Sequence, residues 1–583
     1  MSRRRVFRVL VAAAVLAAAF AGHGRAQAAA ARQAAEVVAP NVYGKGILFA
    51  FSGLDGDTSR ANPCVAITGG PGIALEFRLP KDPVLRIVLP DQGEPRFRVV
   101  TNDLIVADIP GEPVSLVVGF VSANVVAGRL PRGGRVSLEG GDANVTVHRK
   151  EVGGVTQFAF AYDPKDGKRA AEAASGGAGT AIDTLVETRM EFYRKMPTPP
   201  EEVPDRVART LAKAFSVLKA NVCGPEGRFR SRWLTPARWP QGDIRLWDAA
   251  FGSVGLAHVD AAAARDALRA ITACQGEDGF VPARMDLTEQ AETPHPPLLA
   301  WAAYHVYLGD RDRDRAFLEA LYDAASREVK WFVANRMVGK DSGLFAWKSA
   351  EESAAAASPR FKQGADFLAL DLSCYLAGEC RSLQAMAQIL GFREDAKKWA
   401  DRAESVAAEA RKQFWNEEKG FFFDRTAPDG EWVDVWSSAG LLPLWAGIAT
   451  KEQAERLVKH LADPKKFWTA VPVPSVARDD PAFDGGAWSG AVHLQTNRLL
   501  VGGLRRYGYA KTAEALRQRT VEAVAAWYGR TGCLWDFYDC DDRRRPGELG
   551  TGGLSAAGLG EPLVRDCAGT AAVLADLVLR PKP

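Results

Sequence analysis

The 583-residue sequence has few residues of the kinds that bind metal ions or act as reactive nucleophiles. It contains 7 histidines, none paired at metal-ligand spacing, and 8 cysteines without a C-x-x-C pair or a Cys/His zinc spacing. No G-x-S-x-G segment is present, which argues against a serine nucleophile on a strand-to-helix turn. The sequence therefore predicts neither a metal site nor a cofactor, and most of the cysteines are expected to be ordinary buried residues.

Long apolar runs without charge are also scarce. The clearest one, Val9–Ala21, follows four arginines between residues 3 and 8 and precedes the small-x-small triplet at 26–28. This order predicts a signal peptide over residues 1–28 and an exported protein, periplasmic or extracellular. An uncleaved membrane anchor is the alternative, but the run is short for a span of roughly 20 residues. We expect no membrane contact once the signal is removed.

The apparent basicity of the chain comes from this first segment. The formal net charge of +3 becomes −2 without residues 1–28, because that segment holds five arginines and no acid. A basic patch is the usual electrostatic signature of a nucleic-acid-binding protein, and the mature chain shows none. The sequence predicts no nucleic-acid partner, and it leaves the oligomeric state open.

The chain divides into two regions of different composition. Residues 37–165 are rich in Val, Gly and Pro, with short alternating runs bounded by turns, which predicts a β-sandwich. The alanine- and glycine-rich stretch at 166–181 is predicted to be a linker. From 182 to 583 apolar residues recur every three or four positions, which predicts an all-α region of paired helices closed into a toroid. A solenoid is the alternative, although no fixed-period repeat is visible.

Four clusters of Trp, Asp, Gly and Pro lie on loops between the predicted helices. They span residues 245–251 with 275–282, 347–361, 486–493 and 534–539. An indole packs well on the C–H face of a pyranose, and a neighbouring carboxylate accepts its hydroxyls. A single Trp is more often a core residue, but four such clusters together favour a carbohydrate ligand.

The clusters, in this order, resemble glycoside hydrolase family 63 and its mannosylglycerate-hydrolase-like relatives of the six-hairpin glycosidase superfamily. Residues 247–251 resemble the W-D-x-A-F motif, 275–282 resemble Q-x-D-D-G-F-I-P, 369–376 resemble V-D-L-N-A-Y-L, and 504–509 resemble L-x-R-Y-G-Y. The resemblance covers roughly residues 200–580. It implies an (α/α)6 barrel that hydrolyses α-linked sugars with inversion. It also implies substrate contacts at Trp247, Asp248, Phe251, Arg360, Trp488, His493 and Trp535.

Inverting hydrolysis needs a protonated carboxylic acid and a carboxylate base on opposite sides of the sugar. The family carries its acid in E-S-G-M-D-N-S-P-R, and the gapless match to residues 352–360 places Ala356 at the acid position. A methyl group cannot donate a proton, so Glu352 is the candidate for a relocated acid.

Asp536 matches the family's base, which is a glutamate in the related proteins. Aspartate shortens the arm by one methylene, and an error of about 1 Å can cost about a hundredfold in rate. The family's W-R-G-P-x-W motif has also changed in this chain, where residues 488–493 read W-S-G-A-V-H.

Two hypotheses follow from these departures. The first is an active exported glycosidase with unusual acid and base placement. The second is a catalytically impaired relative that binds a carbohydrate or serves as a scaffold. The sequence does not identify the sugar or its linkage.

Overall fold

The computed structural model describes residues 38–362, 364–549 and 565–580. The described residues from Ala39 onward belong to one compact unit. The predicted signal peptide at 1–28 lies outside the described residues. Within the described ranges, no helix is both long and apolar enough to cross a membrane.

The β-rich region consists of two antiparallel sheets, ordered β1-β2-β3-β4-β9 and β10-β11-β8-β7-β6-β5. Their strands are β1 Leu48–Ala50, β2 Val65–Gly69, β3 Ile73–Phe77, β4 Val84–Val88, β5 Arg96–Val100, β6 Leu104–Asp108, β7 Leu116–Ser122, β8 Val125–Arg129, β9 Arg135–Glu139, β10 Val145–Val152 and β11 Val155–Tyr162. Inward-facing aromatic side chains join the two sheets. Phe77 stacks on Phe160 with a centroid distance of 4.0 Å, and Phe49 meets Phe120 at 5.3 Å.

The predicted linker at 166–181 is instead largely helical. Helix α1 (Gly167–Gly177) begins at Asp166, whose side chain accepts a hydrogen bond from the Lys168 N–H. The helix buries Ala170, Ala174 and Gly177 against β10 and β11. This spacing of small residues matches one helix face, and alanine favours the helix over a flexible coil. The linker prediction is therefore wrong.

The rest of the chain is mainly helical, which confirms the prediction of a β-rich region followed by a helical one. The helices are α2 Ile182–Arg194, α3 Asp205–Asn221, α4 Leu246–Leu256, α5 Ala261–Thr272, α6 Leu299–Gly309, α7 Arg315–Arg336, α8 Leu370–Leu390, α9 Arg393–Phe414, α10 Leu442–Ala446, α11 Lys451–Leu461, α12 Leu494–Arg506, α13 Ala510–Thr531 and α14 Ala568–Leu579. Short two-residue strands connect them: β12 Val222–Cys223, β13 Trp233–Leu234, β14 Ile244–Arg245, β15 Arg284–Met285, β16 Trp415–Asn416, β17 Phe421–Phe422, β18 Asp424–Arg425, β19 Trp432–Val433, β20 Val492–His493 and β21 Phe537–Tyr538.

Six of the helices in the described part of the chain contact one another in a closed cycle. α4 contacts α6, which contacts α8, and the contacts continue through α10, α12 and α14 back to α4. We call these six helices the ring helices. Most of them also pack against a helix outside the cycle, as α8 does against α9 and α12 against α13. Each helix thus buries apolar surface on more than one side, which explains why α4, α6 and α14 are apolar almost all round.

Candidate functional site

Three of the predicted site residues, Trp247, Asp248 and His493, lie at the beginnings of ring helices. Strand β14 leads directly into α4, which places Trp247 and Asp248 in the first helical turn. Strand β20 leads into α12 in the same way, so that His493 directly precedes this helix. β20 pairs with β21, and His493 stands opposite Phe537, the residue after Asp536. The small sheet therefore brings two distant loop clusters together.

Asp536 is the most strongly perturbed carboxyl group of this cluster. Its pKa is raised to about 7, mainly by burial and also by the neighbouring charge of Asp248, while a hydrogen bond from Cys567 and the charge of Arg245 oppose the change. The Cys567 Sγ lies 3.6 Å from Asp536 Oδ1, and the Nε2 of His493 lies 3.9 Å from the same oxygen. Near neutral pH this carboxyl group exists in both protonation states.

Asp248 is a second buried carboxyl group at the same site. Its pKa is raised to about 6, mainly by burial, although the charge of Arg245 partly offsets this effect. A Cβ added at Gly569, in the first turn of α14, would lie 3.2 Å from Asp248 Oδ1. Cys567, the hydrogen-bond partner of Asp536, directly precedes α14. The carboxyl groups of Asp536 and Asp248 therefore both lie at the start of this helix.

Aromatic rings form one wall beside these carboxyl groups. The His493 ring stacks near Trp247 at 6.2 Å and contacts Trp488 at 4.6 Å. Burial lowers the pKa of His493 to about 3, so the imidazole is neutral. The Nε1 of Trp247 and the Nδ1 of His493 are buried and have no hydrogen-bond partner in the part of the chain that the structure describes.

Gln495 is a site residue that the sequence analysis missed. It is fully buried in the first turn of α12, and neither its amide oxygen nor its amide nitrogen has a hydrogen-bond partner within residues 38–362, 364–549 and 565–580. A Cβ at Gly569 would lie 2.3 Å from its Nε2, so Gln495 shares the α14 helix start with Asp248. The available signal was its position two residues after His493, the last residue of the third loop cluster.

Trp247, Trp488 and Arg360 line a cavity of about 40 Å³ together with several serine residues. Arg360 lies in this lining, but its guanidinium is fully engaged. It donates to Asp371 at 2.8 Å and to Asp424 at 2.7 Å and 3.3 Å. The main role of Arg360 in this structure is therefore to fix the starts of α8 and β18. Only the part of its surface that lines the cavity is available for the predicted substrate contact.

Two predicted substrate contacts are core residues. Phe251 is 2% exposed and packs between Trp247 and Trp301. Trp535 donates its indole N–H to the Thr531 hydroxyl at 3.1 Å, and its ring contacts the Arg565 guanidinium. Successive residues of an extended segment point in opposite directions, so Trp535 faces away from the side on which Asp536 lies. The structure thus places both side chains in the core, and their contact with a substrate stays a prediction.

Glu352 is a partner in a buried ion pair. Its two carboxylate oxygens accept hydrogen bonds from Arg336 at 2.7 Å and 2.8 Å, and the Lys348 backbone N–H adds a third at 3.1 Å. Such a bidentate pair with a guanidinium is strong and fixes the orientation of the carboxylate. This geometry disfavours the prediction that Glu352 is a relocated acid, because both carboxylate oxygens are engaged by Arg336.

The described residues contain no group of three or more His, Cys, Asp or Glu side chains arranged to hold a metal ion. All eight cysteines are buried and unpaired.

Comparison with known proteins identifies the family. The model of the mannosylglycerate hydrolase MGH1-like glycoside hydrolase domain matches residues 244–539, which is about half of the chain. The chain belongs to this family. The matched range contains both Asp248 and Asp536, as well as the segment around Ala356.

Individual relatives match over shorter stretches. A mannosylglycerate hydrolase of Thermus thermophilus is 35% identical over 141 residues, which is 24% of this chain and 32% of that protein. Mannosylglycerate hydrolase MGH1 of Selaginella moellendorffii is 30% identical over 125 residues, or 21% of this chain and 24% of that protein. An uncharacterized protein of Borreliella burgdorferi is 23% identical over 45% of this chain, and this match spans 56% of that protein. The chain thus spans about a quarter to just over half the length of these curated relatives.

The same family appears among solved structures. A GH63 mannosylglycerate hydrolase of Thermus thermophilus, solved in complex with glucose, superposes with a TM-score of 0.52 at 21% identity. The superposition covers 63% of this chain and 99% of that one. This likeness shows that the helical region has the fold of a glycoside hydrolase of family 63.

The backbone supports the family register at the missing acid. Ala354 has φ = 59°, a left-handed conformation that glycine adopts most easily, and it stands where the family motif has glycine. Two residues later, Ala356 occupies the position of the family's acid in a half-buried turn. The left-handed Ala354 is consistent with the register that aligns Ala356 with the family's acid, while the roles of Asp536 as base and of Ala356 at the acid position stay predictions.

Proposed function

We propose that this protein binds an α-linked sugar at the cavity formed by the starts of the ring helices. We also propose that the ring is an (α/α)6 barrel and that any hydrolysis proceeds with inversion. The relatives named mannosylglycerate hydrolases make an α-mannoside or α-glucoside the first choice of ligand.

One observation supports the sugar ligand above all others. Trp247, His493 and Gln495 each bury a polar atom that has no hydrogen-bond partner among the described residues, and all three lie near the carboxyl groups of Asp248 and Asp536. Leaving a buried polar group unpaired costs about 1–3 kcal/mol. A sugar hydroxyl both donates and accepts, so a sugar satisfies such a mixed set of donors and acceptors.

The chemistry that this site supports is restricted. Asp536 can act as the base that activates water, but Ala356 leaves the acid position without a proton donor. Protonation of the leaving group typically contributes about 10²–10⁴-fold to the rate. We therefore expect weak or absent hydrolysis of natural disaccharides, and turnover only where the leaving group departs without protonation.

A second candidate function, sugar binding or scaffolding without chemistry, is favoured by the size of the cavity. A volume of about 40 Å³ holds only a few water molecules. Ligand pockets usually measure about 300–1,000 Å³. A pyranose therefore requires the lining to move, and the half-buried Trp488 stands at this lining.

The two functions are separated by activity on α-glycosyl fluorides, whose leaving group needs little protonation. We expect wild type to hydrolyse a fluoride through Asp536 and to leave disaccharides nearly untouched. Asp536→Asn should abolish fluoride hydrolysis. Ala356→Asp should raise activity on disaccharides, whereas Ala357→Asp, which adds the same charge one residue away, should not.

Robust hydrolysis of disaccharides by wild type would refute the missing-acid reasoning. If no variant is active on any substrate, calorimetric titration with α-mannosides and α-glucosides decides between a binding protein and a scaffold. Measurable heats of binding that disappear in Trp247→Ala would establish the binding function.

We further propose that the protein is exported after cleavage near residue 28. The arginine-rich start and the short apolar run support this proposal. N-terminal sequencing of the mature protein tests it, and a cytosolic product that begins at Met1 would rule it out.

A further inference from the structure

Asp566 lies outside the sequence motifs discussed so far, yet it directly precedes Cys567, the hydrogen-bond partner of Asp536. It is completely buried, and its φ of 50° is left-handed. A non-glycine residue keeps such a conformation only where its surroundings determine it.

One oxygen of the Asp566 carboxylate holds the segment that carries Asp536. Its Oδ1 accepts a hydrogen bond from the Leu534 N–H at 3.0 Å, and Trp535 pairs with Arg565 in an antiparallel bridge. The hydroxyl of Thr570 donates to the Trp535 carbonyl at 2.7 Å. The backbone on the N-terminal side of Asp536 is therefore attached to the start of α14.

The other oxygen is held by elements from outside the ring helices. The Oδ2 of Asp566 accepts from the Lys213 ammonium of α3 at 2.9 Å, the Asn102 amide at 2.7 Å and the Leu48 N–H of β1 at 3.0 Å. The Asn102 oxygen in turn accepts from Lys213 at 3.0 Å and from the Ser216 hydroxyl at 2.8 Å. Lys213 and Asp566 are both fully buried. A buried carboxylate with this many donors has its position fixed by all of them.

We propose that Asp566 is a positioning residue for Asp536, and that Lys213 and Asn102 hold it in place from α3 and the β5–β6 turn. The β-rich region then has a defined role in the proposed function, because it sets the position of the base. The inference rests on the proposed function only in treating Asp536 as the base; the hydrogen bonds are independent of it.

Lys219 provides a matched control on the same helix. Its ammonium is equally buried and pairs with Asp103 at 2.7 Å and Asp55 at 2.9 Å, away from Asp566. Lys213→Met and Lys219→Met each remove one buried cation that links α3 to the β-rich region. Only Lys213→Met removes a donor to Asp566.

The test follows the titration of Asp536 by ¹³C NMR on protein labelled at aspartate carboxyl carbons, with the resonance assigned by its loss in Asp536→Asn. We expect a wild-type midpoint near 7. Lys213→Met should lower this midpoint by about one pH unit or more, because a loosened segment lets water reach the carboxyl group. Lys219→Met should leave it unchanged.

The sign of the shift separates positioning from simple electrostatics. Loss of a positive charge by itself would raise the midpoint, since it disfavours the carboxylate. A raised midpoint in Lys213→Met, no change, or an equal fall in both variants would overturn the proposal.

If Lys213→Met does not fold, Asn102→Ala decides the question. This variant keeps the ion pair between Lys213 and Asp566 and should lower the titration midpoint of Asp536 by a smaller amount. An unchanged midpoint would overturn the proposal. The titration needs no sugar, so failure of the proposed sugar binding leaves this test intact.

Discussion

The substitution Asp536→Asn should make the protein more stable at neutral pH, because the site keeps a carboxyl group where burial disfavours its charge. The pKa of Asp536 rises from an ordinary value of 3.8 to about 7 on folding. Each pH unit between these values corresponds to about 1.36 kcal/mol, so ionising the group in the folded state costs up to about 4 kcal/mol. Its side chain is 21% exposed, and solvent screening reduces this cost to about 2 kcal/mol.

The sign of the effect follows from proton linkage. Well below the unfolded-state pKa of 3.8 the carboxyl group is protonated in both the folded and the unfolded state and costs nothing. As the pH rises from about 4 to about 7, the unfolded state loses its proton first, so wild-type stability falls. Asparagine does not titrate, so it adds no such pH dependence. The stability of the variant relative to wild type should therefore increase steadily across this range.

Thermal unfolding at pH 4 and pH 7.5 measures the difference. We expect nearly equal melting temperatures at pH 4 and a gain of about 2 °C for Asp536→Asn at pH 7.5 in a protein of this size. A variant that is no more stable than wild type at pH 7.5, or equally stabilised at both pH values, would refute the reasoning.

Asp539→Asn is the control, three residues further along the same segment. Burial alone would raise the pKa of Asp539, but hydrogen bonds from the backbone N–H groups of Arg544 and Arg543 hold it below its ordinary value. This carboxylate stabilises the fold at neutral pH and loses its effect as the pH falls. Asp539→Asn should therefore destabilise the protein at pH 7.5, which is the opposite sign.

Four further outcomes are expected. Ala354→Gly should raise stability by up to about 1 kcal/mol in thermal unfolding, since φ = 59° strains alanine but not glycine. Glu352→Gln should lower it by about 3 kcal/mol, because Arg336 then keeps a buried charge without its partner. Burial and the nearby carboxyl group of Glu379 raise the pKa of Glu328 well above its ordinary value, so Glu328→Gln should stabilise the fold at pH 8 and not at pH 4. Hydrolysis of an α-glycosyl fluoride should increase from pH 5 to pH 8 as the base ionises, and a rate that falls over this range would contradict the role of Asp536.

The local sequence pattern was enough to predict the β-rich and the helical regions, because strand alternation and helical spacing depend only on neighbouring residues. It failed at residues 166–181, where the same small residues suit a flexible linker and a helix packed closely on a sheet. Gly177 shows the difference, since an added Cβ would lie 2.8 Å from Val125 and 2.9 Å from Ala159. Only the neighbouring sheet decides that this stretch is ordered.

The family resemblance and two unusual positions of the site were also readable from the sequence. Motif order identified the family, and the alanine at 356 and the aspartate at 536 were visible as departures from it. These features depend on residue identity at matched positions, which needs no knowledge of contacts.

The roles of the individual side chains were decided by tertiary structure alone. Nothing local to Glu352 shows that Arg336 engages both its oxygens, and nothing local to Gln495 shows that it faces Asp248 across the start of α14. The link from Lys213 to Asp566 joins residues 353 positions apart. A carboxyl group becomes an acid, a base or an ion-pair partner according to its burial and its neighbours, and those come from distant parts of the chain that meet only when the ring of helices closes.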